Sequence, residues 1–263
     1  MKPRFWIVLL AAGLFYVSTM ARVSGYEKEH NRYNRLAAAL AAKRLDIPVE
    51  PIPAMLTDPY NFALYKDEIN RQKLDDLSVY KGKIFSYFSV VPVLVLYLPY
   101  RLVTGGRDLP EQIAVFVFGF GILVWAALLW ARLRDRYFPE APAWMDAAAL
   151  GFLSLSNLVP FLIPNASVYI VAILSGLFFL TGAIYFLSPA PEISVPRLEL
   201  GSLFLGLAAA SRPNMIPLVL LLGSLTAYRL VRRAPADLLR RLAGLSVPCF
   251  ACLGMVGVYN YAR

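Results

Sequence analysis

The chain has 263 residues, 59% hydrophobic and 16% charged, with a net charge of +9. Soluble domains average about 45–50% apolar and about 25% charged residues, so this balance excludes a soluble protein and places the chain in a bilayer. The positive charge does not call for nucleic acid. No polar stretch is large enough for a basic face with stacking aromatics, and membrane proteins collect arginines in cytoplasmic loops near anionic headgroups.

Lys2 and Arg4 precede an apolar run over residues 5–20 that residues 21–23 can extend. No small-x-small cleavage pattern follows and more spans come later. The run therefore reads as an uncleaved first helix, 1–23, with its amino end in the cytoplasm. Residues 24–112 form the one long polar excursion. Residues 27–45 contain AAALAAKRL, a strong helix former, stopped by Pro48, Pro51 and Pro53. Asp58-Pro59-Tyr60 is a turn signal, and residues 65–77 suit a second short helix.

Residues 84–104 are long enough to span, but Pro92, Pro99, Ser86, Ser89 and Arg101 interrupt them, and Tyr87, Tyr97 and Tyr100 favour an interface. Charge decides. If this segment spans, Arg132, Arg134, Arg136, Arg229, Arg232, Arg233, Arg240 and Arg241 all fall outside. If it lies along the outer leaflet as a Pro-broken interfacial helix, all fall inside, and that reading is adopted.

Spans then follow at 113–131, 147–163, 168–187, 195–211, 213–230 and 242–259. With the first helix they make an all-α polytopic bundle of about seven spans. Trp130 and Trp144 bracket the first cytoplasmic loop as interfacial anchors. The break at Ser211-Arg212-Pro213 leaves an arginine between apolar runs, where it needs a partner or water. Cys249 and Cys252 sit in an apolar run and read as packing residues rather than a redox pair. The lone histidine, His30, leaves no His-rich metal site.

Chemistry is therefore expected in the polar loop. Glu29, Asp58 and Asp76 are the candidate acids; one carboxylate suffices to take a proton from an acceptor hydroxyl. Lys81, Lys83 and Arg212 are candidate cations for a phosphate leaving group, with Tyr60 and Tyr80 as donors. Each has an ordinary alternative. Asp58 suits an Asx turn before Pro59, Asp76 a turn cap, and Glu29 a solvated helix face. Lys81 and Lys83 suit headgroup contacts, and Arg212 a helix cap. No metal-ligand spacing appears and no cofactor is expected, although one carboxylate with substrate oxygens leaves room for a divalent ion.

The run DPYN…LDDLSVYKGKIFSYFSVVPVLVLYLPYRLVTGGRDLP resembles the first external loop of bacterial polytopic proteins patterned D-P-Y-D…D-x-S-Y-Y-x-G-K-Y-Y-x-Y-F-G-x-x-P…P-Y-x-x-L-T-G. GLAAASRPN and the closing YNYAR match their G-L-A-x-x-S-R-P and Y-N-Y-x-R-F-G stretches. These proteins are similar to glycosyltransferases of the C-type fold. The resemblance implies a seven-helix module in the bacterial inner membrane with interfacial helices in its first external loop. It further implies a polyprenyl-phosphate-linked sugar donor and a glycan or lipid acceptor. Characterised members carry an Asp soon after the first helix, where this chain has Glu27 and Glu29, so the base is either Glu29 or Asp58. The pattern also continues beyond Arg263 in such proteins, and the chain is read as an amino-terminal part. The rival reading is a non-catalytic transporter or assembly subunit, or an inactive fragment. Transporters place ionisable groups on broken helices in the membrane, whereas here the polar groups crowd one loop.

Overall fold

The computed structural model describes residues 3–20, 32–58, 61–64, 66–72, 77–86, 89–142, 144–188, 193–233 and 236–262. The first elements in chain order are α1 (Pro3–Met20), α2 (Arg32–Ala41), α3 (Pro53–Thr57), α4 (Lys66–Gln72), β1 (Leu77–Tyr80), β2 (Lys83–Ser86) and α5 (Leu98–Val103). There follow α6 (Glu111–Tyr137), α7 (Trp144–Leu155), α8 (Val159–Leu162), α9 (Val168–Leu187), α10 (Val195–Ser211), α11 (Ile216–Arg233) and α12 (Leu238–Ala262). They fall into two compact units: Met1–Ser24 with Glu111–Gly254, and Gly25–Pro110 with Met255–Arg263.

Glu111–Tyr137, Trp144–Leu162, Val168–Leu187, Pro213–Arg233 and Leu238–Tyr261 are long and apolar enough to cross a membrane. The protein is a polytopic helical membrane protein. The remaining helices of the expected bundle, α1 and α10, are 18 and 17 residues long. Leu220 and Leu221 of α11 and Val247 and Phe250 of α12 are exposed, as lipid-facing side chains are. Trp125 of α6 packs among Phe178, Tyr185 and Phe186 of α9 and Phe204 of α10, with ring centroids 5.3 to 6.1 Å away. Gly182 makes room for this cluster, since a Cβ there would lie 2.3 Å from the Phe204 ring. Small residues let membrane helices approach closely where hydrophobic burial against lipid gives no drive.

α7 and α8 are two pieces of one span because Pro160 lacks an N–H and cannot sit inside a helix unbroken. Asn157 repairs the break: Val159 N–H donates to its Oδ1 at 2.8 Å, and its Nδ2 donates to the Leu153 carbonyl at 2.6 Å. The same amide donates to Tyr16 Oη at 2.7 Å, and Tyr16, fully buried on α1, donates to the Ser154 carbonyl at 2.9 Å.

The second unit has its own small core, Ile47, Ile52, Met55, Ile69 and Ile84, with Val49, Ala54, Leu77 and Val79 packed on it. Helix α2 is Arg32–Ala41 and stops short of the expected end at residue 45, while residues 27–31 lie outside the described residues. It ends with Lys43 at φ 58°, where Arg44 N–H reaches the Ala39 carbonyl and Lys43 N–H the Leu40 carbonyl, each at 2.9 Å. That is a Schellman cap on a position usually given to glycine. Leu36 is buried, as are Tyr33 and Tyr97, whose rings meet at 5.3 Å.

Two sequence expectations need correction. The second short helix is described over Lys66–Gln72, and Leu77, its expected end, belongs to a strand. The expected helix over 84–104 begins as strand β2, pairing Leu77↔Ser86 through Tyr80↔Lys83 in antiparallel register. The turn residues Lys81 (φ 47°) and Gly82 (φ 73°) both have positive φ, the geometry whose twist suits a two-residue hairpin. Helix begins only after Ser89. Val93–Tyr97 is wound as a π-helix, with Leu98 N–H on the Val93 carbonyl. Pro99 accounts for the widening, because it has no N–H for the Val95 carbonyl and its ring would collide with it. The apolar stretch Val93–Val103 extends about 17 Å at 1.5 Å per residue, against about 30 Å of hydrocarbon.

Candidate functional site

The hairpin gathers three of the candidate residues at its tip. Leu77 and Val79 pack on the core, so by the two-residue period of a strand Ser78 and Tyr80 point to the opposite face. The register puts Lys83 directly across from Tyr80, and cross-strand partners share a face. Tyr80 is 53% exposed. The ammonium of Lys81 lies 5.1 Å from the centre of the Tyr80 ring, a cation–π distance. Lys83 is exposed. A phenol and two ammonium groups thus surround one tight turn, a suitable surface for a phosphate.

Asp58 is half-buried at the end of α3. Its N–H closes that helix onto the Ala54 carbonyl at 3.0 Å, and its own carbonyl accepts from Asn61 N–H at 3.3 Å. Glu29, Tyr60 and Asp76 lie outside the described residues.

The acid that sequence reasoning passed over is Asp46. Arg44 Nη2 donates to Asp46 Oδ2 at 2.5 Å, and this hydrogen bond holds the carboxyl below the usual carboxylate range. The charges of Arg44 and Lys83 lower it further. Asp46 reaches Lys83 because the neighbouring Ile47 donates its N–H to the Ile84 carbonyl at 2.8 Å, bridging the end of α2 to the hairpin. Nothing local in the sequence announces that bridge.

Arg212 belongs to the helical unit. It has extended backbone between α10 and the 3-10 turn Pro213–Met215. Its Nη2 donates to the Tyr169 carbonyl at 3.0 Å, and its Nε is buried without a hydrogen-bond partner. The carbonyl supplies a structural reason for an arginine between two apolar runs, and leaves one donor unused. In the same unit Cys252 is buried and Cys249 partly so, both as free thiols. They face α10, where a Cβ on Gly206 would meet the Cys252 side chain at 2.8 Å and the Cys249 backbone at 2.9 Å.

Among the described residues, no group of three or more His, Cys, Asp or Glu side chains is placed to hold a metal. No protein-family model, no curated protein and no solved structure matches the chain.

Proposed function

We propose that the protein is a membrane glycosyltransferase of the C-type fold, moving a sugar from a polyprenyl-phosphate donor to an envelope glycan or lipid. The reaction takes place on the external face of the bacterial inner membrane, with the amino end cytoplasmic. One observation carries this reading: Tyr80, Lys81 and Lys83 stand together at an exposed hairpin tip built from the polar loop, rather than inside the apolar helices. The resemblance of the DPYN…TGGRDLP run and of GLAAASRPN supports it, as does a helix over 93–103 too short to cross a bilayer.

In this reaction the acceptor hydroxyl oxygen attacks the sugar's anomeric carbon. The bond from that carbon to the phosphate oxygen breaks, and polyprenyl phosphate leaves with the bonding pair. Asp58 takes the hydroxyl proton, while Lys81, Lys83 and Tyr80 neutralise charge growing on the phosphate. Arg212 is the phosphate-binding candidate of the helical unit, and Asp76 and Glu29 are the alternative bases.

The test is transfer by protein reconstituted in liposomes, with polyprenyl-phosphate hexoses and pentoses as donors. Sugar should pass to a lipid or glycan acceptor with release of polyprenyl phosphate. Asp58→Asn should lower the rate by roughly 10²–10⁴-fold, with Asp76→Asn and Glu29→Gln as parallel variants. A folded protein that transfers nothing from any donor sinks the reading in favour of a non-catalytic membrane protein.

A further inference from the structure

Two arginines converge on the carboxyl end of α9. Arg132 of α6 donates through Nη1 to the Tyr185 carbonyl at 2.6 Å and to Ser188 Oγ at 3.0 Å. Its guanidinium lies 4.0 Å from the centre of the Tyr185 ring. Arg197 of α10 donates through Nη2 to the same Tyr185 carbonyl and to the Ser188 carbonyl, each at 3.1 Å, and to Ser188 Oγ at 3.2 Å. Its Nε is buried and unpartnered. Carbonyls at a helix end attract cations, but here two guanidinium groups share one carbonyl and one hydroxyl. Arg44, Arg101, Arg134 and Arg241 each form an ion pair with a carboxylate among the described residues. Arg132 and Arg197 have none, so the place is short of a negative charge.

Ser188 also lines a cavity of about 220 Å³ between α6, α9 and α11. Its walls are hydrocarbon: Leu129 and Leu133, Ile184, Leu222 and Leu225. The Thr226 hydroxyl in the wall donates to the Leu222 carbonyl at 2.8 Å and offers nothing inward. Leu187 completes the apolar wall, and the last lining residue, Arg229, is exposed and has no ion pair among the described residues. A water-soluble anion would gain nothing from such walls, and a zwitterionic lipid brings no net charge to the arginines. A molecule with a hydrocarbon tail and a net negative head satisfies both halves.

We propose that this groove is a binding site for an anionic phospholipid. A length of one acyl chain lies between α6, α9 and α11, and the phosphate meets Arg229 with the Arg132 and Arg197 charges behind Ser188. The site does not depend on the glycosyl-transfer reading.

The test is native mass spectrometry and thermal melting of the detergent-solubilised protein with dioleoyl phosphatidylglycerol, dioleoyl phosphatidylcholine or inorganic phosphate. Phosphatidylglycerol should be retained and should raise the melting temperature; the other two should do neither. Arg229→Gln should weaken retention about five-fold, the value of one arginine against an anionic lipid. Leu225→Trp, at an exposed position, fills the groove and should abolish retention, with folding checked by the melt. Arg136→Gln, an exposed arginine outside the groove, should leave retention unchanged. Equal retention of phosphatidylcholine, an Arg136→Gln loss as large as that of Arg229→Gln, or no effect of Leu225→Trp each overturns the proposal.

Discussion

Asn34 and Leu109, 75 residues apart, hold each other by a two-way hydrogen bond: Asn34 Nδ2 donates to the Leu109 carbonyl at 2.9 Å, and Leu109 N–H donates to Asn34 Oδ1 at 3.0 Å. Both residues are buried. A side-chain amide carries a donor and an acceptor side by side and so satisfies a main-chain carbonyl and N–H together, as a strand neighbour would. The pair fixes the start of α2 to the end of the 25–110 stretch of the same unit.

Asn34→Ala strips that amide from two buried main-chain groups and should cost about 2–4 kcal/mol, since each stranded group costs about 1–3 kcal/mol. Asn34→Asp loses the donor and sets a buried carboxylate against the Leu109 carbonyl, so its loss should be at least as large. Protease susceptibility of the unit, followed with denaturant, measures both. Equal stability of Asn34→Ala and the parent would contradict the clamp.

The hairpin separates fold from charge. Gly82 has φ 73° with nothing within 4 Å of a Cβ position, so Gly82→Ala should destabilise through conformation alone, by about 1–2 kcal/mol. Lys81 has φ 47°, a region asparagine tolerates better than lysine. Lys81→Asn should therefore leave the hairpin intact while lowering sugar transfer by about ten-fold or more. Unchanged transfer would remove Lys81 from the phosphate site.

Acid should loosen the join between α2 and the hairpin. The Asp46 carboxyl is held low in the folded chain. Its stabilising effect is therefore complete above the unfolded value of about 3.9 and is lost as pH falls through the folded value. Amide exchange at Ile47, whose N–H is bonded to Ile84, should be steady in its protection between about pH 5 and 8 and should lose protection below about pH 4. Asp46→Asn should abolish that acid step. If the step persists in the variant, another group causes it.

How α10 and α12 pack gives a comparison of two effects. Pro248 interrupts the donors of α12, and the next N–H, that of Cys249, goes to Ser202 Oγ on α10 at 3.0 Å. Ser202→Ala should cost about 0.6 kcal/mol, the average for hydrogen bonds between membrane helices. Gly206→Ala forces a methyl against the Cys249 backbone at 2.9 Å, which cannot rotate aside, and should cost about 1–3 kcal/mol. Melting temperatures should therefore rank parent, Ser202→Ala, Gly206→Ala. The reverse order would show that the hydroxyl, not the close approach, holds the helices.

The helical unit was legible because its signals are local. The run 168–187 is unbroken and apolar and is preceded by Ser167, whose Oγ accepts from Ile170 N–H, so its sequence bounds match α9. The hairpin was not. Its strands are four residues each, too short for alternation to stand out, and the second merges into the apolar run that continues to 104. The site was legible as a cluster of residue types and less so as geometry. Tyr80, Lys81 and Lys83 are joined by local register, whereas the approach of Asp46 rests on a long-range bridge. For Arg212 the sequence announced the need for a partner but could not name the Tyr169 carbonyl.

The Asn34–Leu109 clamp also sets an order of assembly. A ribosome adding roughly 5–20 residues per second makes Leu109 roughly 4–15 s after Asn34, given their separation of 75 residues. A hairpin closes in roughly 1–10 μs, so residues 77–86 can pair as soon as they emerge. The asparagine meanwhile keeps water on its amide until the chain has been delivered as far as Leu109. The stretch of the second unit that precedes α6 is thus closed only once Leu109 has been delivered.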